Sequence, residues 1–308
     1  MSMQEAQPAG MAGPRADFGP VTVFFGDKNG KYPDANQVIV TGKDVRAALD
    51  APLVANRIGA PFDTADLVIL THVHEDHMAG LHRLPHAPVH VHREDLAAVQ
   101  SWQGYADALG VSEAVRPALL AKLQREFHYA PRPDSMAYDD GAVWDLGGVR
   151  VRAVHLPGHT AGHCALLLEK EGVAFIGDID LSGFGPYYGD ASSSLASFRK
   201  TLKQLPNLPA RIWITGHHRG VYTDRAKFLA DLAAYEAKLA AREEHLVGLL
   251  GASPKSIEDL VACRLLYPPD YEELWVEDVE RRSIRQHLDE LLEQGRVSEM
   301  DGVFSLTR

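Results

Sequence analysis

The feature that most constrains this chain is a run of metal-binding side chains set directly after an apolar segment. Residues 67–70 read Leu-Val-Ile-Leu, and Thr71-His72-Val73-His74-Glu75-Asp76-His77 follow without a break. A short, wholly apolar run of this kind reads as a buried strand. In open α/β sheets, ligand sites lie beyond the carboxyl ends of the strands. If the extended backbone continues, His72 and His74 stand two apart and project to one side. Asp76 and His77 come next, at the turn into 78–81, where a helix is expected to start. His72 and His74 can hold one metal ion while Asp76 and His77 reach a second. Neutral imidazole with carboxylate suits zinc first, and also iron or manganese. The competing reading is a polar loop with chance histidines. Four ligand-type residues in six positions, straight after an apolar strand, argue against it.

The rest of the chain supplies the frame. Apolar or alternating runs at 21–25, 37–41, 89–92, 149–155, 165–168, 173–176 and 211–214 read as strands. Helices are expected at 95–109, 113–127 and 195–204. This gives a sheet-rich α/β domain over 17–235, behind a flexible tail at 1–16 that is rich in Ala, Gly, Pro and Gln. The texture then changes. Residues 223–250 read as one long helix, 256–263 and 279–293 as two more, and 296–306 as two short strands about Asp301-Gly302, a hairpin signal. Helix, helix, helix, hairpin is the winged-helix pattern, which assigns 236–308 to a small C-terminal winged-helix-like domain.

The histidine run resembles the signature of the metallo-β-lactamase superfamily, His-x-His-x-Asp-His after a strand, filled here by His72, His74, Asp76 and His77. Three later motifs follow in the family's order: Pro157-Gly158-His159-Thr160, Gly177-Asp178, and Gly216-His217. The resemblance implies two β-sheets packed face to face with helices outside, an αββα sandwich with its site at one edge. It also implies that His72, His74 and His159 hold a first metal, that Asp76, His77 and His217 hold a second, and that Asp178 bridges them. Iron-binding flavoprotein relatives carry Glu where this chain has His74, which sets the chain on the hydrolase side. The His-rich turn resembles the glyoxalase II-like branch. Gly-Asp-Ile-Asp at 177–180 departs from that enzyme's pattern, and a clear cationic clamp for glutathione carboxylates is missing. The C-terminal segment resembles the winged-helix tail of some members.

Several neighbours compete for roles. His163 reads as a support rather than a ligand, and His217 is favoured over His218 by its Gly-His context. His155 reads as packing. Asp180 is left between reaching the site and capping its loop. His287 reads as a surface or helix-face residue.

Two divalent ions, zinc before iron or manganese, imply a bridging hydroxide that attacks an electrophilic centre, with Asp76 orienting it while ligating. The expected activity is hydrolysis of a small-molecule ester, thioester or lactone. A phosphodiesterase or nuclease is the alternative, and a DNA-binding regulator acting through the winged helix is a third reading. Charge ranks them. The chain carries a formal −11, and residues 237–308 hold nine Lys or Arg against fifteen Asp or Glu, a balance of −6. A helix that reads DNA needs surplus basic charge to neutralise phosphates. The expected partner is therefore a small molecule, not nucleic acid, with a homo-oligomer possible in principle. Phe184, Tyr187 and Tyr188, in the loop at 181–190, read either as one wall of a pocket suited to an acyl group or as a packed surface turn. The two cysteines, Cys164 and Cys263, allow no disulfide framework, no run approaches a membrane span, and no targeting signal opens the chain. A cytoplasmic protein is the expectation.

Overall fold

The computed structural model describes residues 14–218 and 220–307. Among these, sixteen strands form three sheets. The first takes β1 to β7 in chain order: Arg15–Phe18, Val21–Phe24, Gln37–Thr41, Arg46–Leu49, Leu67–Ile69, Val89–His92 and Met136–Tyr138. Its first four strands pair antiparallel; the last three join in parallel. The second takes β8 to β13: Val143–Asp145, Arg150–His155, Cys164–Leu168, Val173–Phe175, Ile212–Ile214 and Val221–Tyr222. Only β11 and β12 run parallel there.

Side-chain alternation along the strands builds the layers. Val38 and Val40 of β3 face inward with Leu166 and Leu168 of β10, in a core shared by the two sheets. Ile39 faces outward, into a cluster with Phe62, Leu119, Leu123 and Phe127. Ala165 and Leu167 point the other way, under Phe198, Phe228 and Tyr235. The longer helices cover these outer faces: α1 (Trp102–Leu109) and α2 (Arg116–Phe127) on the first sheet, α3 (Leu195–Gln204) and α4 (Arg225–Ala252) on the second. The result is the expected αββα sandwich.

The C-terminal segment adds β14 (Lys255–Ser256), α5 (Ile257–Cys263), α6 (Val276–Glu293) and the hairpin β15 (Val297–Met300) and β16 (Val303–Leu306). Asp301 and Gly302 both take positive φ, 51° and 76°, as a tight two-residue hairpin turn requires. Leu246 and Leu250 of α4 join Leu260, Ile284, Leu288, Leu291 and Phe304 in a small core of its own.

Some expectations need correction. Residues 1–13 of the expected tail lie outside the described residues, while Arg15 and Ala16 already pair with Phe24 and Val23. The boundary expected at 235/236 falls inside α4, whose first turns pack on the second sheet and whose last turns pack in the C-terminal core. The helix expected at 95–109 is interrupted at Ser101, which is extended (φ −151°) and caps α1 by accepting from Gly104 N. The helix expected from 78 is a pair of 3-10 turns, Glu75–His77 and Leu81–Arg83.

Candidate metal centre

The chain leaves β5 at Leu70 and meets Asp50, at the end of β4. The buried Asp50 carboxylate accepts from Thr71 N at 2.6 Å and Thr71 Oγ1 at 2.8 Å, which fixes the start of the histidine loop. Asp95 ties that loop to the next one, accepting from Val73 N at 3.3 Å, Thr160 Oγ1 at 2.8 Å and Gly162 N at 2.8 Å. Asp178 follows β11, and His217 follows β12. All seven residues picked from the sequence therefore meet at one edge of the sandwich.

They fall into two groups, and within each the ligand atoms lie within 4.8 Å of one another: His72, His74, His159 and Asp178, then Asp76, His77 and His217. In the first, His74 Nδ1 stands 3.1 Å from His72 Nε2 and 3.0 Å from His159 Nε2. Asp178 Oδ2 is 3.4 Å from His159 Nε2. In the second, His217 Nε2 is 3.1 Å from Asp76 Oδ2 and 3.3 Å from His77 Nε2. Asp178 straddles the two, with Oδ1 only 2.9 Å from His77 Nε2.

The far nitrogen of each ring shows why these atoms converge. His74 Nε2 donates to Asp190 Oδ2 at 2.7 Å, His159 Nδ1 to the Tyr187 carbonyl at 3.1 Å, and His77 Nδ1 to Asp50 Oδ2 at 2.8 Å. His217 Nδ1 donates to the carbonyls of Gly30 and Asp34 at 2.9 and 3.0 Å. His72 Nδ1 lies 3.0 Å from Thr71 Oγ1, whose own hydrogen goes to Asp50. In the neutral rings these bonds fix each tautomer, so every inward nitrogen then presents a lone pair. Lone pairs and carboxylate oxygens facing one another at about 3 Å need a cation between them. Asp178 Oδ1, buried without a hydrogen-bond partner among the described residues, points to the same need. The donor set fits two divalent ions.

Electrostatics cuts across the two groups, since burial lowers His74 but Asp190 outweighs it and pulls it up to about 9. Burial, helped by neighbouring imidazoles, holds His72 and His159 well below the ordinary histidine value, in the neutral form a metal requires. Burial also opposes charge on His77 and His217, but Asp178 and Asp76 outweigh it and pull both well above that value. Burial raises the Asp178 carboxyl, yet His77, His217 and His72 win and hold it well below the carboxylate range.

The remaining candidates settle into supporting places. His163 donates from Nδ1 to Leu156 O and accepts the Asp178 amide at Nε2, 3.1 Å away, so it orients Asp178. Burial pushes it down to about 4. Gly177 takes φ +51°, and a Cβ there would meet His163 Nε2 at 2.6 Å. His218 Nε2 stands 3.6 Å from Asp180 Oδ2, outside both groups, and Asp180 caps its loop by accepting from Ser182 N at 3.0 Å. His155 stacks on His92, with ring centroids 4.0 Å apart. The Tyr187 ring lies 5.5 Å from that of His159 and 6.2 Å from that of His74. Tyr188, by contrast, is wholly buried against α6, its hydroxyl 2.7 Å from His287 Nε2, and it lines no pocket. His287 is buried too, so of the surface and helix-face readings it is the helix face, turned inward, that holds.

Sequence reasoning missed Asp50, Asp95 and Asp190. Asp50 left a trace, a lone carboxylate closing the apolar run Ala47-Ala48-Leu49. Asp190 sits 116 positions from the His74 it holds.

Comparison with known proteins bears on the family and the fold. The family model of the metallo-beta-lactamase superfamily matches residues 41–217, and the chain belongs to that superfamily. A metallo-beta-lactamase family protein of Thermus thermophilus superposes with a TM-score of 0.69 at 26% identity, over 90% of this chain and 96% of that one. A hydroxyacylglutathione hydrolase of Acidiphilium cryptum is 30% identical over 71% of this chain and 77% of its own length. An atrochrysone carboxyl ACP thioesterase of Pseudocercospora fijiensis is 26% identical over 75% of this chain. The match spans 59% of that thioesterase, and less of the thioesterases of Aspergillus fumigatus and Emericella nidulans.

Proposed function

We propose that this protein is a dinuclear metal hydrolase of small-molecule acyl esters, with thioesters its preferred class. The observation that carries the reading is the set of inward lone pairs described above, with each ring oriented by a bond to its far nitrogen. His72, His74 and His159 would hold one ion and Asp76, His77 and His217 the other, with Asp178 placed to serve both. Zinc is the expected metal, with iron or manganese as alternatives. When bound, two divalent ions supply an activated water near neutral pH and stabilise negative charge on the substrate oxygen. Asp76 orients the water by accepting its hydrogen at a carboxylate oxygen. His163 keeps Asp178 in register through its amide. The water oxygen bonds to the acyl carbon, the C–S bond breaks, and a carboxylate, a thiol and one proton result. The thioesterase and hydroxyacylglutathione hydrolase relatives support the thioester class.

A DNA-reading role has less support. The buried face of α6 includes Val279, Ser283, Ile284 and His287. Arg282 on the same helix donates to the carbonyls of Gly189, Gly110 and Leu109 at 2.6–2.8 Å. The helix is thus engaged within the chain. No helix among the described residues is long and apolar enough to cross a membrane.

The test is a side-by-side assay of metal-replete protein on a thioester, a lactone, a phosphodiester and a sulfate ester. The reading expects the thioester to turn over fastest. A phosphodiester turned over orders of magnitude faster than every acyl substrate would replace it with the nuclease reading.

A further inference from the structure

The segment between α5 and α6 lies beside the metal centre and carries a concentration of aromatic rings. Tyr267 and Tyr271 stack with centroids 4.9 Å apart and planes 7° from parallel. Trp275 meets Tyr32 edge to face, at 6.5 Å and 79°. Tyr32 donates from its hydroxyl to Glu75, the residue between His74 and Asp76, at 2.9 Å. Tyr187 supports the centre from the other side, bonding Asp190 through its hydroxyl at 2.9 Å. Tyr267 in turn meets Phe184, on the loop that follows Asp178, with ring centroids 5.5 Å apart. Rings thus reach from the loops around the metal centre onto the C-terminal segment at two places, Tyr32 with Trp275 and Phe184 with Tyr267.

Both ends of this segment are fixed. The buried Glu280 carboxylate accepts from the amides of Leu265, Leu266 and Tyr267 at 2.7–3.0 Å. At the other end Lys122 bonds Glu273 at 3.1 Å and sits 5.6 Å over the Trp275 ring. A wall built this way is preorganised. It is also open, for Tyr32 is 36% exposed, and Tyr267, Tyr271 and Trp275 are half-buried.

We propose that Tyr32, Tyr187, Tyr267, Tyr271 and Trp275 form a subsite for an uncharged aromatic acyl group, which makes aryl thioesters the preferred substrates. The inference rests on the thioester reading above. Parallel and edge-on rings offer the face and edge contacts that a planar ring uses and a flexible alkyl chain does not. Exposed Asp270 and Glu272 on the segment repel an anionic acyl group.

The experiment compares 2-naphthoyl, octanoyl and acetyl thioesters of N-acetylcysteamine on metal-loaded full-length protein. It then measures binding of the 2-naphthoyl and octanoyl amide analogues, which are not hydrolysed, by tryptophan fluorescence and calorimetry. The expected result is highest kcat/KM on the naphthoyl thioester and tighter binding of the naphthoyl amide. Tyr271→Ala and Trp275→Leu should each lower the naphthoyl-to-acetyl ratio roughly 3- to 10-fold, the worth of one aromatic contact. Metal content should stay at the wild-type level in both. Equal binding of the two amides, or an unchanged ratio in both variants, would overturn the subsite. Selective binding of the naphthoyl amide with no turnover of any thioester would leave the subsite standing and refute the thioester reading instead.

Discussion

Replacing Asp190 by Ala should weaken one metal position and spare the other. Asp190 is 3% exposed and touches the centre only through His74, whose Nε2 it accepts from at 2.7 Å. Without it, His74 loses the bond that fixes its tautomer and turns Nδ1 inward. Removing such a partner typically lowers metal affinity about 10- to 100-fold, or roughly 1.4–2.7 kcal/mol. The Tyr187 hydroxyl, 2.9 Å from Asp190 Oδ1, also loses its acceptor, at a fold cost of about 1–3 kcal/mol. Asp76, His77 and His217 make no bond to Asp190, so the second ion should bind within about threefold of the wild-type affinity. Asp190→Asn keeps an acceptor oxygen and should lie near the lower end of the loss. Stepwise competition against a chromophoric chelator reads both affinities, with circular dichroism to establish folding. Two ions held as tightly as in the wild type, or both weakened equally, would refute the reasoning.

Asp50→Asn should weaken both ions, because Asp50 Oδ2 accepts from His77 Nδ1 at 2.8 Å and also from Thr71 Oγ1, which orients His72; the same chelator competition checks it. Gly177→Ala should lower metal content measured by elemental analysis, because its Cβ would meet His163 Nε2 at 2.6 Å in a backbone with φ +51°. Arg282→Ala should undock α6 from the loops at 109–110 and 189, destabilising the chain by about 2–4 kcal/mol in urea unfolding and speeding proteolysis of the C-terminal segment. His287 makes the apo-protein acid-sensitive. Burial, then Arg199 and Arg242, lower it to about 3 from an ordinary 6.5, so the folded state favours its neutral form. That contribution is complete above pH 6.5 and is lost as pH falls toward 3, by roughly 2 kcal/mol at pH 5. Urea unfolding at pH 7 and pH 5 should therefore show a smaller acid loss in His287→Gln than in the wild type.

The candidate metal ligands were legible because each sits in a short motif at the end of an apolar strand. His72 to His77 occupy one turn of chain, and the β-period of the preceding run shows where the turn opens. The residues that orient them were not legible. Asp95 reaches Gly162 and Asp190 reaches His74 across 67 and 116 positions, contacts that only the stacking of two sheets creates. The same limit left the two readings of Tyr188 undecided in the sequence. A loop rich in Gly and Tyr after a ligand suggests a pocket wall, but α6 packs over the loop and buries Tyr188 against His287. Tyr187 stays near the site, and its carbonyl holds His159, so its backbone matters to the metal as well as its ring. The break at Ser101 was hidden for a local reason, since a serine that caps one helix also sits within an otherwise continuous helical pattern.

The most direct test of the central claim is a titration of metal into the apo-protein, with thioester turnover followed at each step. Turnover should rise with added zinc and level off as the second equivalent per chain is bound. Turnover indifferent to metal, or absent from protein carrying two ions, would contradict the account.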